Sequence, residues 1–365
     1  MDNPLKLMVL RTKGIPNKID TPIVGRISFS GSDLLVNSEC ILSTGSVRDM
    51  PGVYGIGDLS HLYEGDIVVV HADGVVNTVY RVNSVHNFLL FTERCNSNCL
   101  MCSQPPKDKD DTDYLYYLHS KTIPLIPKDC FELGITGGEP TLLGERYFKL
   151  LEQIQYELPN TEVHCLTNGR SFAWPNIAGR LGDMHFRRLM LGIPIYSDYP
   201  AQHDYIVQAK DAFNQTVKGL YNLAKQNVRI ELRIVLHQQT IPRLMKLAKF
   251  IYKNLPFAEH VTFMGLEYQG YTPHNIDKLW IDPLDYGEVL SDAVSFLGDM
   301  GMRVSIYNSQ LCTIPKDVWG YARRSISDWK NVYHEACEGC GVKEQCGGFF
   351  ASGMKKHSRG IMAIV

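Results

Sequence analysis

The chain has 365 residues, which is enough for two or three domains with a sizeable core. Lys and Arg number 37 against 39 Asp and Glu, so the formal net charge is -2. This balance excludes a global basic surface of the kind that binds nucleic acid or anionic membranes, although it leaves room for a local basic patch. Residues 1–13 lack the apolar run of a signal peptide, and no later stretch is apolar enough to span a bilayer, so we expect a cytoplasmic protein without a membrane partner.

The first segment, residues 1–86, is predicted to be a β-rich domain. Residues 23–29, 65–71 and 78–82 have the β-branched, apolar composition of strands, and Asp73-Gly74 is typical of a tight hairpin. The segment carries one cysteine, Cys40, and no recognisable catalytic constellation. It could bind a peptide or partner through a sheet edge, or it could be a packing domain that shields the rest.

From residue 87 onward, strands alternate with helices, which predicts an α/β domain with parallel strands joined by right-handed crossovers. We assign residues 87–282 to this core domain and residues 283–365 to a separate C-terminal region. The predicted strands are 88–91, 131–136, 161–166, 188–194, 229–236 and 260–264, with another at 303–307 in the C-terminal region, and the predicted helices are 145–158, 211–227, 241–255 and 283–300.

Seven of the ten cysteines fall into two spaced groups, which favours metal ligation in a reducing compartment over disulfides. The first group is Cys95, Cys99 and Cys102, in a short polar loop after the predicted strand 88–91. Three thiolates leave one corner of a metal centre open to a ligand that does not come from the protein. The alternative is a zinc knuckle with a distant fourth ligand such as Cys130, Cys165 or His119, but zinc knuckles favour repeated C-x2-C pairs.

A second motif follows the predicted strand 131–136, where Gly137-Gly138-Glu139-Pro140 forms a turn. A Gly-Gly pair lets the backbone approach a ligand closely, and the carboxylate that follows can accept a hydrogen bond from an ammonium group. On its own this turn would be an ordinary connection from strand to helix. In a parallel barrel, however, the turn and the cysteine loop would both lie at the carboxyl ends of strands, where ligands bind.

The C-x3-C-x2-C loop followed by Gly-Gly-Glu-Pro resembles the radical S-adenosylmethionine (SAM) enzymes. The resemblance implies a partial (β/α)6 barrel that is open on one side for a large substrate. It also implies that Cys95, Cys99 and Cys102 hold a [4Fe–4S] cluster whose fourth iron binds SAM through its amino and carboxylate groups. Residues 137–140 would then lie against the methionine amino group.

The same resemblance places two further polar residues in the SAM pocket. They are Asn168, in the Thr-Asn-Gly that ends the strand 161–166, and Ser197, which follows the strand 188–194. Arg233 is a third candidate, for the SAM carboxylate, because the alternation in 229–236 points Glu231 and Arg233 away from the apolar face. The alternative is that Glu231 and Arg233 form an ion pair on an outer face. Cys165 and His164 lie in an apolar run and are predicted to pack in the core.

The second cysteine group is Cys312, Cys337, Cys340 and Cys346. Four thiolates satisfy a zinc tetrahedron, so a structural zinc site is the competing interpretation. The spacing and the presence of the first group favour an auxiliary [4Fe–4S] cluster, held by protein alone. The region resembles a shortened SPASM or twitch extension of radical SAM peptide maturases. Phe350 stands where the longer extension has another cysteine, so we expect one auxiliary cluster.

Three longer sequence stretches, called strings below, make the resemblance more specific. They resemble the His-Xaa-Ser system radical SAM maturases (HxsC-like). They are residues 92–106, 326–331 and 346–352. This resemblance implies an enzyme that cleaves SAM reductively to a 5′-deoxyadenosyl radical and modifies a ribosomally made peptide with His-Xaa-Ser repeats. The implied partners are the precursor peptide, a second radical SAM maturase and an electron donor such as flavodoxin or ferredoxin. The alternatives are a radical SAM enzyme for a small molecule or nucleic acid, and a non-enzymatic iron–sulfur or zinc interaction protein.

Overall fold

The structure is a computed structural model that describes residues 11–324, 331–354 and 356–365. Predictions about residues 1–10 and about the string 326–330 lie outside the described residues. The described part forms two compact units. The first contains the residues up to Thr92 with Asp110–Thr136 and Leu143–Val163, and the second contains Glu93–Lys109, Gly137–Leu142 and the described residues from His164 onward.

The described strands are β1 (Arg11–Lys13), β2 (Ile15–Asn17), β3 (Ile23–Ser30), β4 (Asp33–Val36), β5 (Cys40–Leu42), β6 (Gly52–Tyr54), β7 (Ile67–Val70), β8 (Val75–Tyr80), β9 (Asn87–Leu90), β10 (Glu132–Thr136), β11 (Glu162–Leu166), β12 (Leu189–Pro194), β13 (Arg229–Leu236), β14 (His260–Gly265), β15 (Val304–Tyr307) and β16 (Ala322–Arg323). The described α-helices are α1 (Thr112–Thr122), α2 (Glu145–Glu157), α3 (Pro175–Asp183), α4 (Pro200–Val207), α5 (Ala212–Lys225), α6 (Leu244–Asn254), α7 (Ile276–Leu279) and α8 (Pro283–Asp299).

The first unit begins with the predicted β-rich segment, in which eight strands form one sheet. Their order is β1-β8-β7-β3-β4-β5-β6-β2. The pairing is antiparallel except between β5 and β6, and the predicted hairpin at Asp73-Gly74 joins β7 to β8. Alternating apolar residues bury a core that includes Val36, Cys40 and Leu42, each fully buried. Cys40 is therefore a core residue.

The second sheet contains β9 to β16 in chain order. Within the second unit, β12 to β16 pair in parallel, with Glu231 opposite both Gly192 and His260, and Thr262 opposite Ser305. The predicted α/β architecture with parallel strands is confirmed. The sheet continues beyond the six expected strands, because β15 and β16 also join it in parallel.

The alternation predicted for β13 determines which face of this strand is apolar. Ile230, Leu232 and Ile234 are almost completely buried on one face. Glu231 and Arg233 occupy the opposite face, together with polar residues of β14 and β15. This polar face of the sheet is described further below, because it carries buried charges. No helix in the described ranges is long and apolar enough to cross a membrane.

Candidate metal and cofactor site

The cysteine loop, residues 95–102, is held by backbone hydrogen bonds within the second unit. The N–H groups of Asn98 and Leu100 donate to the carbonyls of Val207 and Ile206, each at 3.0 Å. These two carbonyls belong to the last turn of α4 and would otherwise be unsatisfied there. The end of α4 therefore sets the position of the three cysteines.

The three thiols of this loop are partly buried, and none forms a disulfide. Burial raises the pKa of Cys95 to about 11 and also raises the pKa values of Cys99 and Cys102. The negative charges of Cys102 and Cys95 raise the pKa of Cys99 further. These thiols are partly buried, and the charge of one thiolate disfavours the ionisation of its neighbours. A bound metal cation would stabilise them as thiolates. This donor set fits an iron–sulfur cluster.

The side chains are not arranged for a single metal ion. Among residues 11–324, 331–354 and 356–365, no three His, Cys, Asp or Glu side chains converge on one position that could hold such an ion. Two of the residues considered as distant zinc ligands have other partners, because His119 Nε2 lies 2.6 Å from the Leu90 carbonyl and the Cys130 thiol hydrogen-bonds the carbonyl of Glu132. His119 and Cys130 are thus both engaged by backbone carbonyls of the chain.

The Gly-Gly-Glu-Pro turn packs directly against the start of the cysteine loop. A Cβ added to Gly138 would lie 2.1 Å from the Arg94 carbonyl oxygen and 3.0 Å from Cys95 Cβ, so only glycine fits there. The N–H of Glu139 donates to the same Arg94 carbonyl at 2.7 Å. Gly137 and Pro140 flank these two residues, and the four residues form one turn beside Cys95.

The carboxylate of Glu139 is completely buried and accepts four hydrogen bonds from the chain. Oε1 accepts from the N–H of Thr141 at 3.1 Å, from its hydroxyl at 2.7 Å and from the Thr167 hydroxyl at 2.7 Å, and Oε2 accepts from the N–H of Asn168 at 2.7 Å. Burial raises the pKa of Glu139, and these hydrogen bonds oppose the rise. The side chain of Glu139 thus braces two turns against each other, a role that sequence reasoning did not anticipate.

Asn168 lies beside the cysteine loop, and its side-chain amide donates to Asn96 Oδ1 at 2.6 Å. Arg170 was missed by the sequence reasoning. Its guanidinium hydrogen-bonds the Asn96 carbonyl, the Ser97 hydroxyl at 3.1 Å and Gln215 Oε1 at 2.7 Å. The available signal was its position directly after Thr-Asn-Gly, at the carboxyl end of a strand.

Ser197 is completely buried after β12, and its hydroxyl accepts a hydrogen bond from the N–H of Tyr199 at 3.1 Å. The neighbouring residue Tyr196 packs in the apolar cluster behind the cysteine loop, against which Cys99 also lies. The N–H of Tyr196 donates to His203 Nδ1 at 3.3 Å, and the carboxylate of Asp204 accepts from the N–H groups at the start of α5. His203 and Asp204 thus both have structural partners within the fold.

Arg233, predicted to meet the SAM carboxylate, pairs with Glu231 at 2.7 Å on the polar face of the sheet. Glu231 also lies 3.4 Å from His260 Nδ1 and 3.8 Å from His164 Nε2. His260 Nε2 in turn lies 3.0 Å from the hydroxyl of Ser305. Burial alone would raise the pKa of Glu231, but the hydrogen bond from His260 and the charge of Arg233 outweigh it and hold this pKa at about 2.

The core-packing prediction for His164 is wrong, whereas Cys165 is completely buried as expected. His164 belongs to the polar group around Glu231, and burial lowers its pKa to about 4. Alternation along β11 explains the difference, because neighbouring residues of a strand point to opposite faces. The polar residues at every second position of β13 and β14 were the signal for this network.

We predict that Glu231→Gln lowers the free energy of unfolding by on the order of 3 kcal/mol, because it leaves the buried charge of Arg233 without its counter-ion. Glu259→Gln is the matched control, since Glu259 pairs with Arg229 at 2.9 Å but is about a third exposed. This control should lose less than about 1 kcal/mol. Urea unfolding at neutral pH would measure both, and equal losses would contradict the prediction.

The contribution of Glu231 should also depend on pH in a defined direction. Its folded pKa lies below its ordinary value of 4.5, so its stabilisation is complete above pH 4.5 and disappears as the pH falls through about 2. The difference in unfolding free energy between the unsubstituted protein and Glu231→Gln should therefore shrink on acidification. A difference that stays constant from pH 7 to about pH 3 would argue against this network.

Cys312, Cys337, Cys340 and Cys346 all line one cavity of about 320 Å³, counted out to its mouth. Backbone N–H groups approach the sulfurs, with Leu311 N at 3.4 Å from Cys346 Sγ and Ile364 N at 3.4 Å from Cys340 Sγ. Four thiols around a void, with N–H groups directed at sulfur, fit a protein-ligated iron–sulfur cluster.

The comparisons with known proteins agree with this arrangement. Residues 89–251 match the sequence model of the family described as the Radical SAM superfamily. The uncharacterized protein MJ0907 of Methanocaldococcus jannaschii is 26% identical over 199 residues, covering 49% of this chain and 66% of that protein.

Two solved structures with TM-scores of at least 0.50 have a similar fold. Native anSMEcpe with bound AdoMet has a TM-score of 0.52 at 16% identity, over 76% of this chain and 91% of that chain. With AdoMet and the Kp18Cys peptide bound, the same protein has a TM-score of 0.50 at 16% identity, over 77% and 92% of the two chains. Streptococcus suis SuiB has a TM-score of 0.49 at 13% identity over 65% of this chain, which spans 51% of the SuiB chain.

Proposed function

We propose that the chain is a radical SAM enzyme that modifies a ribosomally made peptide, since residues 89–251 match the sequence model of the Radical SAM superfamily. In this proposal Cys95, Cys99 and Cys102 hold a [4Fe–4S] cluster, and SAM binds at its open iron. When bound, the cluster and SAM supply the reductive chemistry that yields a 5′-deoxyadenosyl radical.

The observation that carries this proposal is the contact between three motifs that are far apart in the sequence. The Gly-Gly-Glu-Pro turn lies against Cys95, and Glu139 joins this turn to Thr167 and Asn168. Asn168 and Arg170 in turn hydrogen-bond the cysteine loop. A small ligand bound at the loop would therefore meet all three turns, which is the arrangement expected for a SAM pocket.

The residues of this chain would then orient SAM and keep water out. Gly137 and Gly138 offer backbone groups without a side chain, Pro140 is buried and stiffens the turn, and Glu139 sets its distance from Asn168. Ser197 and Arg233 remain proposed SAM contacts. For Arg233 the contact requires that its guanidinium, which has five N–H donors, bind a carboxylate while it keeps its bond to Glu231.

We further propose that the four-cysteine cavity holds one auxiliary [4Fe–4S] cluster. All four sulfurs line the cavity, and burial raises the pKa values of Cys312 and Cys337. The cavity walls include the apolar side chains of Val342 and Phe349. Such a cluster could accept an electron from the substrate or could simply brace the C-terminal region.

A peptide is the proposed substrate class. On a similar fold, anSMEcpe holds the Kp18Cys peptide together with AdoMet. The HxsC-like strings point to a precursor peptide with His-Xaa-Ser repeats, a partner radical SAM maturase and an electron donor such as flavodoxin or ferredoxin. These partners, like the cytoplasmic location, are part of the proposal.

The test is an anaerobic assay of the reconstituted protein with SAM, a reductant and a peptide of His-Xaa-Ser repeats. We expect 5′-deoxyadenosine by chromatography and a change in the mass of the peptide. A control peptide with scrambled order should keep its mass. If 5′-deoxyadenosine forms but the mass of the peptide does not change, even with the partner maturase added, the radical SAM activity is supported and the peptide substrate is rejected.

A further inference from the structure

A second cavity in the same unit is lined by five Tyr, Trp and Phe rings and by the imidazole of His357, and we call it the aromatic pocket. Its ring walls are Tyr268, Trp280, Tyr286, Phe349 and Phe350. Neither the cysteine loop nor the two turns around it belong to this lining.

The aromatic pocket lies at the carboxyl end of the parallel sheet. Its lining includes Leu236 and Gly265, the last residues of β13 and β14, and Asn308, which directly follows β15. Ligands of open and barrel-shaped parallel sheets bind at this end of the strands. The position is therefore that of a ligand site, and the residues around it are consistent with one.

The aromatic pocket is connected to both cysteine groups. Gln310 and Phe349 line it together with the four-cysteine cavity. On the other side, the segment that carries Tyr268 and Trp280 is anchored on the cysteine loop, because Tyr271 N–H donates to the Cys102 carbonyl at 2.8 Å and the Asn275 amide donates to the Leu100 carbonyl at 2.9 Å. A group bound in the pocket would thus lie between the two proposed clusters.

The chemistry of the walls selects the kind of group. Aromatic walls favour another planar ring, since stacked and edge-to-face pairs add about 0.5–1.5 kcal/mol beyond the burial of area. Lys356 holds its ammonium 4.5 Å from the centre of the Trp280 ring, which opposes a cationic ligand. Asp282, next to the lining residue Ile281, already accepts hydrogen bonds from Ser358 and Arg359. The walls therefore favour an uncharged ring.

We propose that the aromatic pocket is a substrate-binding site that takes an uncharged planar ring, imidazole or phenyl, from a side chain of the peptide. This inference rests on the proposed function and adds the place and chemistry of peptide recognition. The ring would be held beside the four-cysteine cavity by Trp280 and Phe349, at the end of the sheet where the SAM turns also lie.

Gly353 provides a direct test, because it lines the aromatic pocket without a side chain. A Cβ there would lie 3.5 Å from the nearest Tyr268 ring atom, which is an ordinary contact, so the larger side chain of Gly353→Leu would extend into the cavity. Gly320→Leu is the matched control, since nothing lies within 4 Å of its added Cβ. The probes are acetylated His-Ala-Ser repeat and Leu-Ala-Ser repeat peptides, measured by calorimetry with the reconstituted protein.

The unsubstituted protein and Gly320→Leu should bind the His peptide about tenfold more tightly than the Leu peptide, and Gly353→Leu should lose that difference. Iron content and 5′-deoxyadenosine formed without peptide should stay within about twofold in all three proteins. Equal binding of the two peptides, or unchanged binding in Gly353→Leu, would overturn the inference. Absence of 5′-deoxyadenosine in the unsubstituted protein would instead reject the proposed function.

Should Gly353→Leu fail to fold, Trp280→Leu gives an independent answer, because Trp280 is only half-buried and supplies one wall of the pocket. This variant should also bind the His peptide about tenfold more weakly, whereas its affinity for the Leu peptide should stay within about twofold. Equal weakening of both peptides would mean that Trp280 has only a structural role, and it would count against recognition of a ring.

Discussion

Cys99→Ala is expected to lose about half of the iron and all measurable SAM cleavage, whereas Cys340→Ala loses the other half of the iron. The reconstituted protein should hold about eight irons, falling to about four in either variant, because each variant removes one ligand of one [4Fe–4S] cluster. Cys99 is the middle ligand of the loop that would leave one iron open, so its loss should remove the iron to which SAM binds. Each protein is reconstituted anaerobically. Iron and sulfide analysis then gives its cluster content, and a 5′-deoxyadenosine assay gives its SAM cleavage.

The control for both variants is Cys130→Ala, a cysteine in the first unit that belongs to neither group. Its iron content and SAM cleavage should match those of the unsubstituted protein. If the second metal is zinc and only Cys340→Ala loses it, the auxiliary iron–sulfur cluster is rejected. The proposed catalytic cluster at the first cysteine group would be unaffected by that result. Zinc bound by the unsubstituted protein and lost in both Cys99→Ala and Cys130→Ala would instead support a zinc knuckle with Cys130 as its distant fourth ligand.

The second large effect is expected for Glu139→Gln, which should weaken SAM binding by about 10- to 100-fold, the usual cost of disturbing a residue that orients a binding group. The substituted amide keeps one oxygen but places an NH2 where the carboxylate now accepts hydrogen bonds. One buried donor, either the Asn168 N–H or a threonine hydroxyl, then loses its acceptor. The Gly-Gly-Glu-Pro and Thr-Asn-Gly turns should shift relative to each other.

Equilibrium binding of SAM to the cluster-loaded protein without reductant isolates this effect from the chemistry. Thr167→Val removes only one of the four donors and should weaken binding less than Glu139→Gln does. Glu157→Gln is the matched control, because Glu157 pairs with Lys128 outside the site. Unchanged SAM affinity in Glu139→Gln, with normal iron content, would show that the brace between the two turns is dispensable.

These two predictions concern different kinds of residue. Cys99 is a proposed ligand, so its loss removes a bond to the cofactor. Glu139 is a positioning residue, since its carboxylate accepts hydrogen bonds from donors of the protein itself. The comparison between them separates cluster loss from distortion of an otherwise complete pocket.

The sequence alone determined the α/β architecture and the existence of the two cysteine groups. Both are properties of local order: the alternation of strand and helix signals predicts the parallel sheet, and the spacing of Cys95, Cys99 and Cys102 is visible within eight residues. The bounds of β13 were predicted without error because residues 229–234 alternate and one complete face of Arg229–Leu236 is apolar.

Only the tertiary structure decided which partners the polar residues have. Arg233 and Glu231 were predicted to share a face, but the position of His260, Ser305 and His164 around Glu231 depends on the register of β11, β13, β14 and β15. Likewise, the sequence could not reveal that Glu139 is satisfied by Thr141, Thr167 and Asn168, because a hydrogen bond between turns depends on how they pack.

The aromatic pocket shows the same limit most clearly. Tyr268, Trp280 and Phe349 come from separate segments, and each taken alone is an ordinary apolar residue. Spacing along a chain reports on faces of one strand or helix, whereas a cavity is formed where several segments fail to fill the space between them. The spacing of the cysteines was therefore visible in the sequence, whereas the proposed substrate site could be found only from the fold.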